Sequence, residues 1–175
     1  MNPKRSKPSA RKKKKRSSAD SIRRADSTLS LNHILVPIDF SAYSKYALQY
    51  AIPLARKFQA DLLLVYVVEP TVYPADFSIG QVGYPSVEEE LRSKGAEELS
   101  KLIEEQIPSG VKARKIVRTG KPYLEILDAA RTEQADMIVI ATHGHSGFEH
   151  LLFGSTAEKV IKKAGCPVVV IPGRV

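Results

Sequence analysis

Residues 137–156, MIVIATHGHSGFEHLLFGST, contain the strongest structural signal in the chain. A short apolar strand runs into a glycine-containing loop, and a helix begins at Ser155. Glycines allow a backbone to approach an anion closely. Unpaired N–H groups at a helix N-terminus, with the helix dipole behind them, attract negative charge. These residues therefore predict a strand–loop–helix unit that holds phosphate, as a nucleotide-binding protein requires.

Apolar runs and helical spacing alternate along the rest of the chain from Leu31 onward. Short apolar runs predict five strands, at residues 33–38, 62–68, 111–118, 137–140 and 166–171. Helical spacing and capping residues predict helices after Ser41 and over residues 87–107, 122–131 and 155–164. Pro53 is expected to interrupt and kink the first of these helices. Residues 69–86, with three prolines, are predicted to be irregular.

This alternation predicts a single α/β domain with a doubly wound, five-stranded parallel sheet. The unbroken apolar run LLLVYVV at residues 62–68 is typical of a strand buried on both faces. The four basic residues within 111–118 favour a sheet edge instead. By fold analogy the expected strand order is 3-2-1-4-5, which places a ligand between the carboxyl ends of strands 1 and 4.

Positive charge is concentrated in the first 30 residues. That segment contains 11 lysines and arginines against 2 acidic residues, whereas residues 31–175 contain 16 against 17. The segment has no hydrophobic periodicity, so we expect a disordered basic tail at residues 1–30 ahead of a domain at 31–175. The run RKKKKR at residues 11–16 predicts weak, salt-sensitive binding of polyanions by residues 4–24. The alternative is a solubilising tail without a dedicated partner.

The number of cysteines and the hydropathy pattern indicate the cellular compartment. The single cysteine, Cys166, excludes an internal disulfide and fits a reducing compartment. We expect it to be a small packed residue rather than a nucleophile. No apolar run approaches the roughly 18 residues of a membrane span, and none follows the basic N-terminus as a secretory signal requires. We therefore expect a cytoplasmic protein.

Four stretches resemble the universal stress protein family: ILVPIDFS at 34–41, GKPYLEILDAA at 120–130, ADMIVIATHG at 135–144 and GSTAEKVIKKAGCPVVVIP at 154–172. Nucleotide-binding members carry the motif Gly-x2-Gly-x9-Gly-Ser/Thr. Here the same spacing is occupied by Ala141, Gly144, Gly154 and Ser155, with alanine replacing the first glycine. The resemblance covers about residues 31–174. It implies an adenine nucleotide alpha hydrolase-like fold, binding of ATP with or without Mg²⁺, a dimer, and a role in stress survival.

The resemblance, together with the predicted sheet, assigns eight residues to a nucleotide site. Pro37 and Val67 are expected to wall the adenine, and Asp39 is expected to contact ribose or a phosphate-bound Mg²⁺. The predicted phosphate loop consists of Ala141, Gly144, Gly154, Ser155 and Thr156. Alanine at position 141 is tolerable unless that position needs a positive φ.

Structural roles are open alternatives for several of these residues. Asp39 suits the cap of the helix that follows it, and Val67 suits an ordinary core position. Ser155 completes a capping box with Glu158, although a cap leaves other N–H groups for phosphate. His143, His145 and His150 lack zinc-finger spacing, so we expect local hydrogen bonds and no metal site.

The last strand is apolar and is expected at a sheet edge, which pairing with its own copy across a two-fold axis would cover. The predicted dimer residues are Pro167, Val168, Val169, Val170 and Ile171. The function that the resemblance implies is an ATP-binding, dimeric stress-response regulatory module. Because the sequence has no Walker A lysine, and no water-positioning residue or arginine finger can be assigned, we expect at most slow ATP hydrolysis and assign no catalytic residue. The alternative is a dimeric scaffold that binds no nucleotide and whose basic tail binds nucleic acid or another polyanion.

Overall fold

Strands and helices alternate strictly in the computed structural model, which describes residues 30–69, 85–143 and 154–173. The elements of these described residues are β1 (His33–Pro37), α1 (Ala42–Phe58), β2 (Asp61–Val68), α2 (Pro85–Gln106), β3 (Ala113–Thr119), α3 (Pro122–Thr132), β4 (Met137–Ala141), α4 (Ser155–Lys163) and β5 (Val168–Ile171). The predictions for residues 1–29, for 70–84, and for Gly144, His145 and His150 lie outside the described residues.

The five strands form one parallel sheet in the order β3-β2-β1-β4-β5, as predicted. The chain first builds β1, β2 and β3 outward in one direction, and then returns to place β4 on the other side of β1. The strand order therefore reverses between β1 and β4. In an open parallel sheet, a crevice forms beyond the carboxyl ends of the strands at such a reversal.

Helices cover both faces of the sheet and bury two apolar layers. Successive residues of a strand point to opposite faces. Ile34 and Val36 therefore pack with α1 and α2, whereas Leu35 packs with α3 and α4. All three side chains are fully buried, and each such burial stabilises the fold by roughly 1.5–3 kcal/mol. The near-continuous apolar runs of the central strands follow from this two-sided burial.

The element boundaries differ from the predicted ones by a few residues, for local reasons. The strand predicted from residue 111 begins at Ala113, because the Val111 N–H donates to the Pro108 carbonyl oxygen in a turn at 3.2 Å. The helix predicted from residue 87 begins at Pro85. The predicted interruption at Pro53 is wrong, since α1 continues through that exposed position. The opposite face of α1 is buried, through residues such as Ala51 and Ile52, and this packing sustains the helix.

Basic residues mark the β3 edge, as predicted. Arg114 and Lys115 are exposed, and the Arg114 guanidinium forms an ion pair with Glu133 at 3.2 Å. At the opposite edge, Val168, Val169 and Val170 of β5 are only half-buried. None of the helices within the described part of the chain is both long and apolar enough to span a bilayer.

Candidate functional site

A cleft of about 510 Å³ opens at the carboxyl ends of β1 and β4. The loop after β1, the end of β2 and the first turns of α3 and α4 complete its walls. Seven of the eight residues predicted for the nucleotide site line it: Pro37, Asp39, Val67, Ala141, Gly154, Ser155 and Thr156. The eighth, Gly144, lies outside the described residues. The fold thus brings together residues that are up to 119 positions apart in the sequence.

The backbone at Gly154 lies directly against Thr142, the residue that follows β4. Its N–H donates to the Thr142 carbonyl oxygen at 2.7 Å. A Cβ at this position would lie 3.3 Å from that same oxygen. The φ of Gly154 is −67°, so the position needs glycine for close approach and not for a left-handed backbone.

Helix α4 begins at Ser155, as predicted, but its cap differs from the predicted one. Gly154 is the N-cap residue, and it has no side chain that could cap the helix. Ser155 is already helical, so the predicted capping box is wrong. The Glu158 carboxylate forms its hydrogen bond with the Lys162 ammonium instead, and this lowers the pKa of Glu158. The first N–H groups of α4 have no acceptor within the helix, and Ser155 and Thr156 line the cleft beside them.

Asp39 braces the loop between β1 and α1. One carboxylate oxygen accepts hydrogen bonds from the Ser41 N–H at 3.0 Å and from the Ser41 hydroxyl at 2.6 Å. The Ser41 hydroxyl oxygen in turn accepts a hydrogen bond from the Ser44 N–H. Ser41 is therefore the N-cap residue of α1, as predicted. Asp39 therefore supports the cap without being the cap itself, and it lies in the wall of the cleft.

An aromatic pair, Phe40 and Tyr66, forms a part of the wall that sequence reasoning missed. The two ring centroids are 4.9 Å apart and the rings are tilted by 48°. Phe40 has a φ of +65°, which is uncommon for a bulky residue and typical of strained backbone at functional loops. Tyr66 packs so tightly on α2 that a Cβ at Gly95 would lie 2.4 Å from its ring.

Thr142 is a buried junction between the cleft and the C-terminal end of β5. Its carbonyl oxygen accepts from Gly154, and its N–H donates to the Ile171 carbonyl oxygen at 3.0 Å. Its hydroxyl oxygen accepts from the Gly173 N–H at 3.2 Å and lies 2.9 Å from Nδ1 of His143. Neither Thr142 nor His143 was predicted as a site residue, although both follow directly from the end of β4.

Ala141 is the last residue of β4 and is buried, with 7% of its surface exposed. The backbone of Ala141 does not have a positive φ. Alanine is therefore compatible with the backbone at this motif position, and Ala141 lines the cleft. Cys166 is half-buried, and burial together with the nearby Asp136 carboxylate raises the pKa of its thiol.

The charges that line the cleft are negative. Asp39 and Glu69 each contribute a carboxylate, and no lysine or arginine of the described residues lines it. Within these residues no group of three or more histidine, cysteine or acidic side chains is arranged to hold a metal ion. Attraction of an anion to this cleft therefore depends on backbone N–H groups, on the dipole of α4 and on charges at the rim.

A model of the universal stress protein family matches residues 30–172 of the chain. The chain belongs to the universal stress protein family. Universal stress protein MJ0531 of Methanocaldococcus jannaschii is 37% identical to it over 141 residues, covering 79% of this chain and 80% of the relative. Universal stress protein YxiE of Bacillus subtilis is 32% identical over 145 residues, covering 80% and 98%. The structure of UspA from Lactobacillus plantarum matches with a TM-score of 0.69 at 27% identity, covering 82% and 99%.

Two universal stress proteins of the same fold have been solved with adenine nucleotides. One, in complex with cAMP, has a TM-score of 0.58 and 17% identity, covering 82% of this chain and 98% of that one. The other, from Archaeoglobus fulgidus in complex with dAMP, has a TM-score of 0.51 and 21% identity, covering 82% and 99%. At these identities the likeness shows a shared fold.

Proposed function

We propose that this universal stress protein binds an adenine nucleotide, with ATP as the preferred ligand, in the cleft between β1 and β4. The observation that carries the proposal is the start of α4. A helix N-terminus whose N-cap is a glycine that lies against the end of β4 opens into a cleft lined by seven of the residues predicted for the site. Such a terminus binds phosphate through its N–H groups and its dipole.

The remaining residues suit the other parts of a nucleotide. Pro37 and Val67 offer apolar surface for adenine on the side of the cleft that carries Pro122 and Ile126. Asp39 is proposed to contact ribose or Mg²⁺, which prefers carboxylate and phosphate oxygens. The support for adenine also includes the cAMP and dAMP complexes of proteins with the same fold.

The proposed role is that of a dimeric stress-response regulatory module. Pairing of β5 with its copy would cover the half-buried edge residues Val168, Val169 and Val170, with Pro167 and Ile171 at its ends. Thr142 connects this strand to the proposed phosphate site through its contacts with Ile171 and Gly154. A ligand that favours one arrangement of this junction would alter the β5 edge that a partner encounters. We propose no catalytic residue and, at most, slow ATP hydrolysis.

The test is to identify what the purified protein carries and binds. We expect mass spectrometry of small molecules released by denaturation to detect an adenine nucleotide. Isothermal titration of the nucleotide-free protein should then give one site per chain for ATP, and weaker binding for GTP. The proposal would be contradicted if the nucleotide-free protein gave no heat of binding on titration with ATP, ADP, AMP or cAMP.

A second function, binding of polyanions by the basic tail, is favoured by the distribution of charge. Eleven of the 27 lysines and arginines lie within residues 1–30. We propose that residues 4–24 bind nucleic acid or another polyanion without sequence preference, because the tail offers charge and no aromatic side chain for stacking.

A further inference from the structure

The proposed ligand has more negative charge than the lining of the cleft can balance. The lining contains two carboxylates, from Asp39 and Glu69, and no lysine or arginine of the described residues. The flanking stretches 70–84 and 144–153 contain neither lysine nor arginine in their sequences. Balancing positive charge would therefore come from the rim of the cleft, from another part of the chain or from cations in solution.

Lys159 is positioned on α4 beside the proposed phosphate site. It follows Thr156 by three residues, so the two lie on neighbouring parts of one helix face, about 4.5 Å apart along the axis. Helical side chains lean toward the N-terminus of their helix and cover the preceding turn. A side chain at Lys159 can therefore reach the first turn of α4, where Ser155 and Thr156 line the cleft.

The ring of Tyr123 holds this lysine at the rim. The Lys159 ammonium lies 4.9 Å from the ring centroid. Tyr123 is in the first turn of α3, directly after Pro122, which lines the cleft. The Lys163 ammonium approaches the same ring from one turn further along α4, at 5.6 Å. A cation over an aromatic ring is attracted to it by about 0.5–1 kcal/mol at an exposed site.

Lys159 differs from its neighbour Lys162 in its relation to carboxylates. Lys162 forms an ion pair with Glu158. Lys159 also lowers the pKa of Glu158, but only through a weaker and more distant charge interaction. Within the described residues, neither Lys159 nor Lys163 has a carboxylate at ion-pair distance. Two ammonium groups therefore lie near one ring, and neither forms an ion pair with a carboxylate of the described residues. An anion is therefore a favourable neighbour for both of them.

We propose that Lys159, held by Tyr123, binds the outer phosphates of the nucleotide and makes the cleft prefer a polyphosphate to a monophosphate. This inference rests on the proposed function, because it assigns a residue to the phosphate end of that ligand. The N–H groups of α4 hold the inner phosphate. The ammonium then donates charge-assisted hydrogen bonds to the phosphates that extend beyond it toward the rim.

The test compares two nucleotides, ATP and AMP, and three variants of the 175-residue chain by isothermal titration. We expect Lys159→Gln to weaken ATP about fivefold, the loss of one exposed charge-assisted contact, and to leave AMP unchanged. Lys159→Arg should retain the ATP affinity, because a guanidinium keeps the charge and stacks on the tyrosine ring. Lys162→Gln is the matched control, with the same charge change on the same helix, and should bind ATP like the unmodified chain. The ATP affinity of Lys159→Gln should also depend less on salt.

Three outcomes would overturn the proposal. An unchanged ATP affinity in Lys159→Gln would mean that the lysine only packs on Tyr123, and an equal loss for AMP and ATP would place it away from the outer phosphates. An equal loss in Lys162→Gln would show an effect of net charge. If the unmodified chain binds none of ATP, ADP and AMP, the proposed function itself fails. That result differs from ATP binding that is intact and does not depend on Lys159. Thermal unfolding of each variant checks that the exposed substitutions leave the fold intact.

Discussion

Single residues decide whether the cleft can hold a phosphate, and Gly154 is the most constrained of them. Its Cβ position lies 3.3 Å from the Thr142 carbonyl oxygen, whereas a Cβ at Gly165 would meet nothing within 4 Å. We expect Gly154→Val to weaken ATP binding at least about tenfold and to lower the free energy of unfolding by about 1–2 kcal/mol, because the branched side chain presses on Thr142. Gly165→Ala is the control and should change neither quantity much. Calorimetric binding and urea unfolding measure both, and full ATP affinity in a folded Gly154→Val protein would argue against the phosphate site.

Some residue roles follow from sequence, and others depend on backbone geometry that sequence patterns do not contain. The motif spacing pointed to Gly154 and Ser155, which the structure places at the start of α4 and in the cleft wall, because glycine and a helix start leave a local signature. The same signature led to the wrong capping residue. The N-cap is the residue with extended backbone just before the helix, and in this structure it is Gly154 rather than Ser155. Phe40 escaped notice because an aromatic residue after a strand predicts core, and nothing in the sequence signals its φ of +65°. Lys159 and Tyr123 meet only through tertiary packing between two helices.

The packing of α2 on β2 supports the aromatic wall of the cleft. Gly95 lies in α2, where alanine would ordinarily stabilise a helix by up to about 1 kcal/mol. Here the added Cβ would lie 2.4 Å from Cδ1 of Tyr66, so the ring must move. We expect Gly95→Ala to lower the free energy of unfolding by about 1–3 kcal/mol, the usual range for overpacking.

The double variant Gly95→Ala with Tyr66→Leu separates the two effects. Removing the ring should recover part of the loss, because the overlap is gone and the helical preference of alanine remains. Chemical denaturation of the single and double variants measures this coupling. A stabilised Gly95→Ala protein would show that Tyr66 moves at no cost and that the tight contact does not constrain the cleft.

Edge strand β5 carries the proposed dimer contact. The Pro167 and Ile171 carbonyl oxygens accept from Ile138 and Thr142, and alternation along a parallel ladder turns the N–H groups of Val168 and Val170 outward. We expect Val170→Pro to convert the dimer to a monomer, since proline removes one outward N–H. Val170→Ala keeps that N–H and should remain dimeric. Sedimentation equilibrium distinguishes the two, and a dimeric Val170→Pro protein would place the interface elsewhere.

The order of strands was predictable because each βαβ unit has one favoured hand and the apolar runs were unambiguous. The buried runs around Leu35 and Leu63 have the two-sided apolarity of central strands, and the charges at Arg114 and Lys115 mark an edge. The ends of strands were less predictable. At Val111, for example, a turn hydrogen bond competes with the sheet ladder, and that competition depends on local geometry more than on hydropathy.

The chain combines a nearly neutral domain with a strongly basic segment, so salt separates its two proposed activities. Tail-driven binding to a duplex of random sequence should weaken steeply between about 50 and 200 mM salt, because each neutralised phosphate releases counterions. Replacing residues 11–16 by glutamine removes six positive charges and should reduce both the affinity and its salt slope, while the affinity for ATP stays unchanged. Fluorescence anisotropy with a labelled duplex and titration with ATP measure the two. If duplex binding survives both this replacement and deletion of residues 1–30, the polyanion site belongs to the domain, and the separation of the two functions along the chain is wrong.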